Sequence, residues 1–107
     1  MDRSELEENF STYKRLARFA IEKHRGTVIG SLAEDIDKLF DRAKEHTINC
    51  SIDLFDDVIE LAKMSEAIRF LAEIYERHDV TVDELRRGIN SALGNVVEYF
   101  GENCTRW

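Results

Sequence analysis

The chain of 107 residues contains no proline. Proline is common in turns, in edge strands and in extended linkers, so its absence disfavours a loop-rich all-β domain and a linker between domains. No stretch alternates apolar and polar residues over the length of a strand, which removes the other sign of a β-sheet. These absences favour an all-α fold. The length of the chain predicts a single domain.

Cysteine is scarce as well. Cys50 and Cys104 match neither a zinc motif nor a Cys-x-x-Cys pair. One disulfide between them is an open alternative, but two reduced thiols are expected for a cytoplasmic protein. That location is expected because the N-terminal residues are acidic and polar, unlike a signal or transit peptide. No apolar run approaches the ~20 residues that cross a bilayer, so no membrane contact is predicted.

A basic excess is also missing, since the net charge is −7. This charge disfavours direct binding to nucleic acid or to an anionic membrane, and it favours a basic protein partner. Residues 31–60 contain nine acidic and three basic side chains, so this segment carries −6 of the total −7. The charge asymmetry is the most informative feature of the sequence.

Apolar residues recur at steps of three and four through four segments, the period of a helix face. The predicted helix starts are residues suited to an N-cap, namely Ser4, Ser31, Ser51 and Thr81. The helices are expected to end before Gly26, near Glu45, near Arg77 and near Phe100, with Gly101 as a terminal glycine. The prediction is a four-helix bundle, mostly antiparallel with short connections, over residues 1–101, and a C-terminal tail over 102–107.

Eight carboxylates form two predicted stripes on the side of their helices opposite the apolar residues. A step of about 100° per residue gives this placement, with Phe55 and Ile59 counted among the core residues of the third helix. The eight residues are Glu34, Asp37, Asp41 and Glu45 on the second helix, and Asp53, Asp56, Asp57 and Glu60 on the third. If the two helices are adjacent, the stripes could merge along one edge of the bundle.

One enzyme family provides an alternative. Glu34-x-x-Asp37 together with Asp53-x-x-Asp56, or Asp57-x-x-Glu60, resembles the paired carboxylate motif of MazG-like nucleotide pyrophosphohydrolases. The resemblance implies magnesium-dependent nucleotide hydrolysis that uses Glu34, Asp37, Asp53 and Asp57. Such a metal site requires the acids of two helices to converge, whereas stripes that face outward diverge. The sequence has no Glu-x-x-His pair and no glycine-rich phosphate loop, so no cofactor and no metal are predicted.

The favoured interpretation is a non-enzymatic acidic protein that uses these eight carboxylates to bind a basic protein. Its most concrete form is an immunity protein or antitoxin that inhibits a toxin nuclease. No motif assigns a family, and the lack of proline excludes the proline-bearing motif of helical colicin DNase immunity proteins. Two alternatives stay open: the acidic face could be only a solvated surface, or the chain could self-associate. Self-association would require an exposed apolar stripe, and the sequence identifies none.

Overall fold

A computed structural model describes residues 1–74 and 79–104 of the chain, and they form four helices without a strand. The helices are α1 (Arg3–Lys23), α2 (Val28–Ile48), α3 (Leu54–Ile74) and α4 (Val80–Asn103). Each helix packs against the next along the chain, and α4 packs against α1. The predicted all-α four-helix bundle is therefore confirmed.

Contacts at the helix ends show that neighbouring helices run antiparallel. The end of α1 meets the start of α4, where Lys23 Nζ lies 3.3 Å from Asp79 Oδ1. The start of α3 meets the end of α4, where the ring centroids of Phe55 and Phe100 lie 6.1 Å apart. Helices α2 and α4 also touch across the centre of the bundle, so α1 and α3 occupy the opposite outer positions.

The starts of α1 and α4 lie upstream of the predicted ones. Asp2 caps α1, accepting a hydrogen bond from the backbone N–H of Glu5 at 2.8 Å. Asp79 caps α4 in the same way, accepting from the N–H of Thr81 at 2.9 Å. The prediction of Ser4 and Thr81 as N-caps was wrong because an equally good capping residue stands two positions earlier. The longer helix gains backbone hydrogen bonds at each added residue.

Helix α2 is likewise capped by Thr27 and not by Ser31. The Thr27 hydroxyl accepts from the N–H of Gly30 at 3.2 Å, and the N–H of Ser31 bonds to the Thr27 carbonyl at 3.1 Å. Gly30 therefore lies within the first turn of α2. A Cβ built at Gly30 would lie 2.3 Å from the carbonyl oxygen of His24, so only glycine lets the two helices join so closely. The helix also ends three residues later than predicted, at Ile48.

Helix α3 is continuous through Met64 and begins at Leu54. Ser51 accepts from the N–H of Asp53 at 3.2 Å, so it shapes the turn before the helix. The predicted end near Arg77 lies outside the described residues. Helix α4 continues past Gly101, so residues 102 and 103 are helical and not part of a tail. None of the helices in the described part of the chain is long and apolar enough to cross a membrane.

Candidate partner-binding surface

The carboxylate of Asp57 is buried, with 1% of the residue exposed. It lies on the same side of α3 as Leu54 and Leu61, which stand three residues before it and four after it and belong to the core. The prediction that Asp57 faces solvent was therefore wrong. The wrong prediction used the mean direction of all apolar residues of α3, including Phe55 and Ile59. The inward face of α3 is instead the one that contains Leu54 and Leu61.

Two side chains of α2, an arginine and a histidine, hold this buried carboxylate. Arg42 donates to Asp57 Oδ1 from both Nε and Nη2 at 3.0 Å, and His46 Nδ1 lies 2.5 Å from Asp57 Oδ2. Arg42 and His46 stand four residues apart, so both project from the side of α2 that faces α3. Because an unpaired buried carboxylate is strongly destabilising, this trio fixes the packing of α3 against α2. The carboxylate of Asp57 is thus not available to an incoming partner.

Six of the other seven predicted carboxylates are exposed, and Asp37 is half-buried. The exposed ones are Glu34, Asp41 and Glu45 on α2, Asp53 just before α3, and Asp56 and Glu60 on α3. Their exposure agrees with the sequence analysis. Whether they bind a partner stays a prediction.

The two acidic stripes do not merge. On α2, Asp41 and Asp37 lie toward α1, where Lys14 Nζ is 2.5 Å from Asp41 Oδ2 and 3.8 Å from Asp37 Oδ1. The side of α2 that faces α3 carries Arg42, whose side chain is 58% exposed. A cation therefore stands on the seam between the stripes, and the acidic surface on α3 is separate from that on α2.

The start of α3 presents large apolar side chains between its exposed acids. Ile52 is 76% exposed, Phe55 57% and Ile59 53%, and they alternate along the chain with Asp56 and Glu60. The sequence analysis counted Phe55 and Ile59 as core residues, so it missed this surface. The signal that could have revealed it is their four-residue spacing, which is out of phase with the buried leucine row.

The carboxylates of the two helices do not converge on a common point. Asp57 contacts Arg42 and His46 of α2, and Asp37 lies near Lys14 of α1. Within residues 1–74 and 79–104, no group of three His, Cys, Asp or Glu side chains is arranged to hold a metal ion. The geometry that the MazG-like resemblance requires is therefore not present in the described part of the chain.

A disulfide joins Cys50 to Cys104, with a Cα–Cα distance of 5.3 Å. It ties the end of α4 to the connection between α2 and α3, and Cys104 is buried there. The expectation of two reduced thiols was therefore wrong. Each cysteine lies just beyond a helix end, and sequence spacing alone does not show that the bundle brings these ends together.

A second polar cluster lies at the opposite end of the bundle. His24 is the C-cap residue of α1, and its Nε2 lies 2.8 Å from Asp79 Oδ2. Burial acts to raise the pKa of Asp79, but the Thr81 N–H and hydroxyl and the Lys23 ammonium outweigh it, so this pKa lies below its usual value. A cavity of about 250 Å³ lies beside the pair, lined mainly by apolar side chains of α2, α3 and α4.

Comparison with protein-family models, with curated proteins and with solved structures finds no match to this chain. Inference about function therefore starts from the surface itself. The start of α3 combines exposed acids with exposed apolar side chains, and α2 carries a separate set of exposed acids.

Proposed function

We propose that this chain is a non-enzymatic binding protein whose acidic surface on α2 and α3 engages a basic protein. The observation that carries the proposal is the exposure of six carboxylates on α2 and at the start of α3: Glu34, Asp41, Glu45, Asp53, Asp56 and Glu60. Although the exposed Arg42 separates the two acidic stripes, each stripe accelerates encounter with a partner of the opposite sign.

The fixed geometry of this surface supports the proposal further. The trio of Asp57, Arg42 and His46 locks α3 against α2, so Asp56 and Glu60 project from a rigid helix. A surface held in place before binding loses less conformational entropy when the partner arrives. Asp57 thus holds α3 in position through Arg42 and His46, while Asp56 and Glu60 would contact the partner.

The most concrete form of the proposal is an immunity protein or antitoxin that covers the basic cleft of a toxin nuclease. The support is the small size of the bundle and the charge of its surface, since a nuclease cleft must be basic to hold its substrate. The disulfide between Cys50 and Cys104 favours an oxidising compartment over the cytoplasmic location expected from the sequence.

The test compares two charge-reversed variants of equal net charge. The first is the double variant Asp56→Lys/Glu60→Lys. The control is Glu8→Lys/Glu22→Lys, which reverses two exposed acids of α1. The tagged chain captures partners from an extract of its native cells, and the captured protein is identified and purified. Its Kd for each variant is then measured over a series of salt concentrations.

We expect a basic partner whose Kd rises about tenfold or more for the α3 variant and changes little for the control. The salt dependence of binding should flatten for the α3 variant, because fewer ions are displaced on contact. If the partner is a nuclease, the wild-type chain should inhibit it at equimolar ratio. Equal Kd values for the two variants, or an acidic partner, would refute the proposal.

A further inference from the structure

The cavity beside His24 and Asp79 is large enough for a molecule with a single ring. Its volume is about 250 Å³, whereas an apolar cavity of roughly 150 Å³ already accommodates benzene. The lining includes Val28, which is 60% exposed, and Val82, which is 3% exposed. The cavity therefore extends from the protein surface to the core.

A small residue of α3 leaves this space open. Ala72 lies four residues after the buried Ile68 and eleven after the buried Leu61, so it continues the row that faces the core. It is half-buried and lines the cavity. A large side chain at this position would project into the cavity, and alanine does not.

Contacts between helix ends hold the walls of the cavity in place. His24 Nε2 and Lys23 Nζ lie 2.8 and 3.3 Å from the Asp79 carboxylate, so the end of α1 is joined to the start of α4. The Thr27 hydroxyl donates to the His24 carbonyl at 2.6 Å, so the start of α2 is joined to the same point. A cavity with fixed walls loses little conformational entropy when a ligand enters it.

The charge of Asp79 selects the polar group of a ligand. Its side chain lines the cavity and is 16% exposed. Burial acts to raise its pKa, but hydrogen bonds from Thr81 and Lys23 hold this pKa below its usual value, so the carboxylate is charged at neutral pH. A charged carboxylate accepts hydrogen bonds and repels an anion. A cation would lose its hydration in the apolar cavity, and Lys23 already pairs with Asp79. These conditions favour a neutral hydrogen-bond donor.

We propose that this cavity binds a small neutral molecule with one hydrocarbon ring and one hydroxyl group, such as a phenol or a cyclic alcohol. The ring lies between Leu71 and Val82, and the hydroxyl donates to the Asp79 carboxylate. An apolar cavity with a few polar groups, one of them with a shifted pKa, is the usual form of a small-molecule site. Asp56 and Glu60 lie at the other end of α3, so this site is independent of the proposed contact with a basic protein.

The first test uses three probes of similar size: p-cresol, p-xylene and benzoate. Each is titrated at neutral pH into the full, disulfide-bonded, isotope-labelled chain, and amide chemical shifts give its Kd. We expect p-cresol to bind with a Kd of about 1 mM or lower, as a ligand of about eight non-hydrogen atoms can. The largest shifts should occur at Leu71 and Val82, which line the cavity.

Comparison of the probes tests the assigned hydroxyl. A cavity without a partner for the hydroxyl would bind p-xylene about tenfold more tightly than p-cresol, because burying an unpaired hydroxyl is costly. With Asp79 as the acceptor, p-cresol should bind at least as tightly as p-xylene. Benzoate should bind at least about tenfold more weakly than p-cresol, because Asp79 repels its carboxylate.

Two variants test the location. Ala72→Trp fills much of the cavity and should weaken p-cresol binding at least about tenfold. The matched control Ala62→Trp places the same side chain at an exposed position of α3 and should leave the Kd unchanged. Asp79→Asn keeps a residue that caps α4 and removes the charge. It should therefore strengthen benzoate binding about tenfold. Circular dichroism checks that all three variants stay helical, and the comparison of probes on the wild type requires no variant.

Four results would contradict the proposal. An absence of saturable p-cresol shifts at ten times the expected Kd would overturn the site, and so would equal Kd values for Ala72→Trp and Ala62→Trp. Tighter binding of p-xylene than of p-cresol would overturn the assignment of a hydroxylated ligand. Benzoate binding that Asp79→Asn does not change would overturn the role of Asp79. None of these results affects the capture of a basic protein, which Asp56→Lys/Glu60→Lys tests separately.

Discussion

Replacing Asp57 with alanine should destabilise the bundle far more than the same change at its neighbour Asp56. Asp57 is 1% exposed and makes three close contacts, two with Arg42 and one with His46. Breaking a buried ion pair typically costs about 3–5 kcal/mol. The Arg42 side chain is 58% exposed and that of His46 is 27% exposed, so both can turn to water. This recovery reduces the expected loss to about 2–3 kcal/mol.

The matched control is Asp56→Ala, because Asp56 and Asp57 both lie in the first turn of α3. Both carboxylates favour the positive end of the helix dipole, worth about 0.3–1 kcal/mol. The difference between the two variants therefore isolates the contacts with Arg42 and His46. We expect Asp57→Ala to lower the urea midpoint by about 1–2 M and Asp56→Ala by no more than about 0.5 M.

A double-mutant cycle assigns this loss to the proposed contacts. Asp57→Ala and His46→Ala, measured alone and together, should show a coupling of about 1 kcal/mol or more. Equal midpoints for Asp57→Ala and Asp56→Ala would mean that α3 does not turn Asp57 inward. That result would also contradict the exposure of Phe55 and Ile59 on the other side of α3.

Three further predictions concern stability. Reducing the bond between Cys50 and Cys104, or replacing both residues with serine, should lower the free energy of unfolding by about 4 kcal/mol, because the bond closes a loop with a sequence separation of 54. An unchanged urea midpoint would contradict this prediction. Gly30→Ala should destabilise because its Cβ would strike backbone at 2.3 Å, whereas Gly94→Ala, with nothing within 4 Å, should stabilise by about 1 kcal/mol; thermal melts compare the two. Folding lowers the pKa of Asp79. Its contribution to the free energy of unfolding is therefore complete above the ordinary aspartate pKa, and it disappears as pH falls through the lower pKa that Asp79 has in the folded chain. In acid titrations the stability gap between the wild type and Asp79→Asn should therefore begin to narrow below about pH 4 and close below the lowered pKa of Asp79, and a constant gap would refute the assignment.

The sequence predicts the bundle because apolar residues recur at steps of three and four in every helix. The three- and four-residue steps that pass through Leu6 and Phe10 in α1 and through Ile36 and Phe40 in α2 predict buried faces, and these four residues are all at most 1% exposed. Helix starts were less predictable. An aspartate or threonine upstream of each predicted capping box can also serve as the N-cap. Which residue caps the helix depends on how many further residues tertiary packing stabilises in the helical conformation.

The disulfide shows a different limit. Cys50 and Cys104 are 54 residues apart, and their pairing depends on the closing geometry of four helices. The same is true of His24 and Asp79, which belong to the ends of α1 and α4. Local spacing contains no information about contacts of this length, so neither pair could be derived from the pattern of the chain.

The orientation of α3 depends on information outside α3. Its sequence has two apolar faces, one through Leu54 and Leu61 and one through Phe55 and Ile59, and either could pack inward. The first face includes Asp57, so its burial requires a cation from a neighbouring helix. Arg42 and His46 stand one helical turn apart on α2 and meet that requirement. An acid in phase with a leucine row therefore predicts a basic residue at the facing position of an adjacent helix.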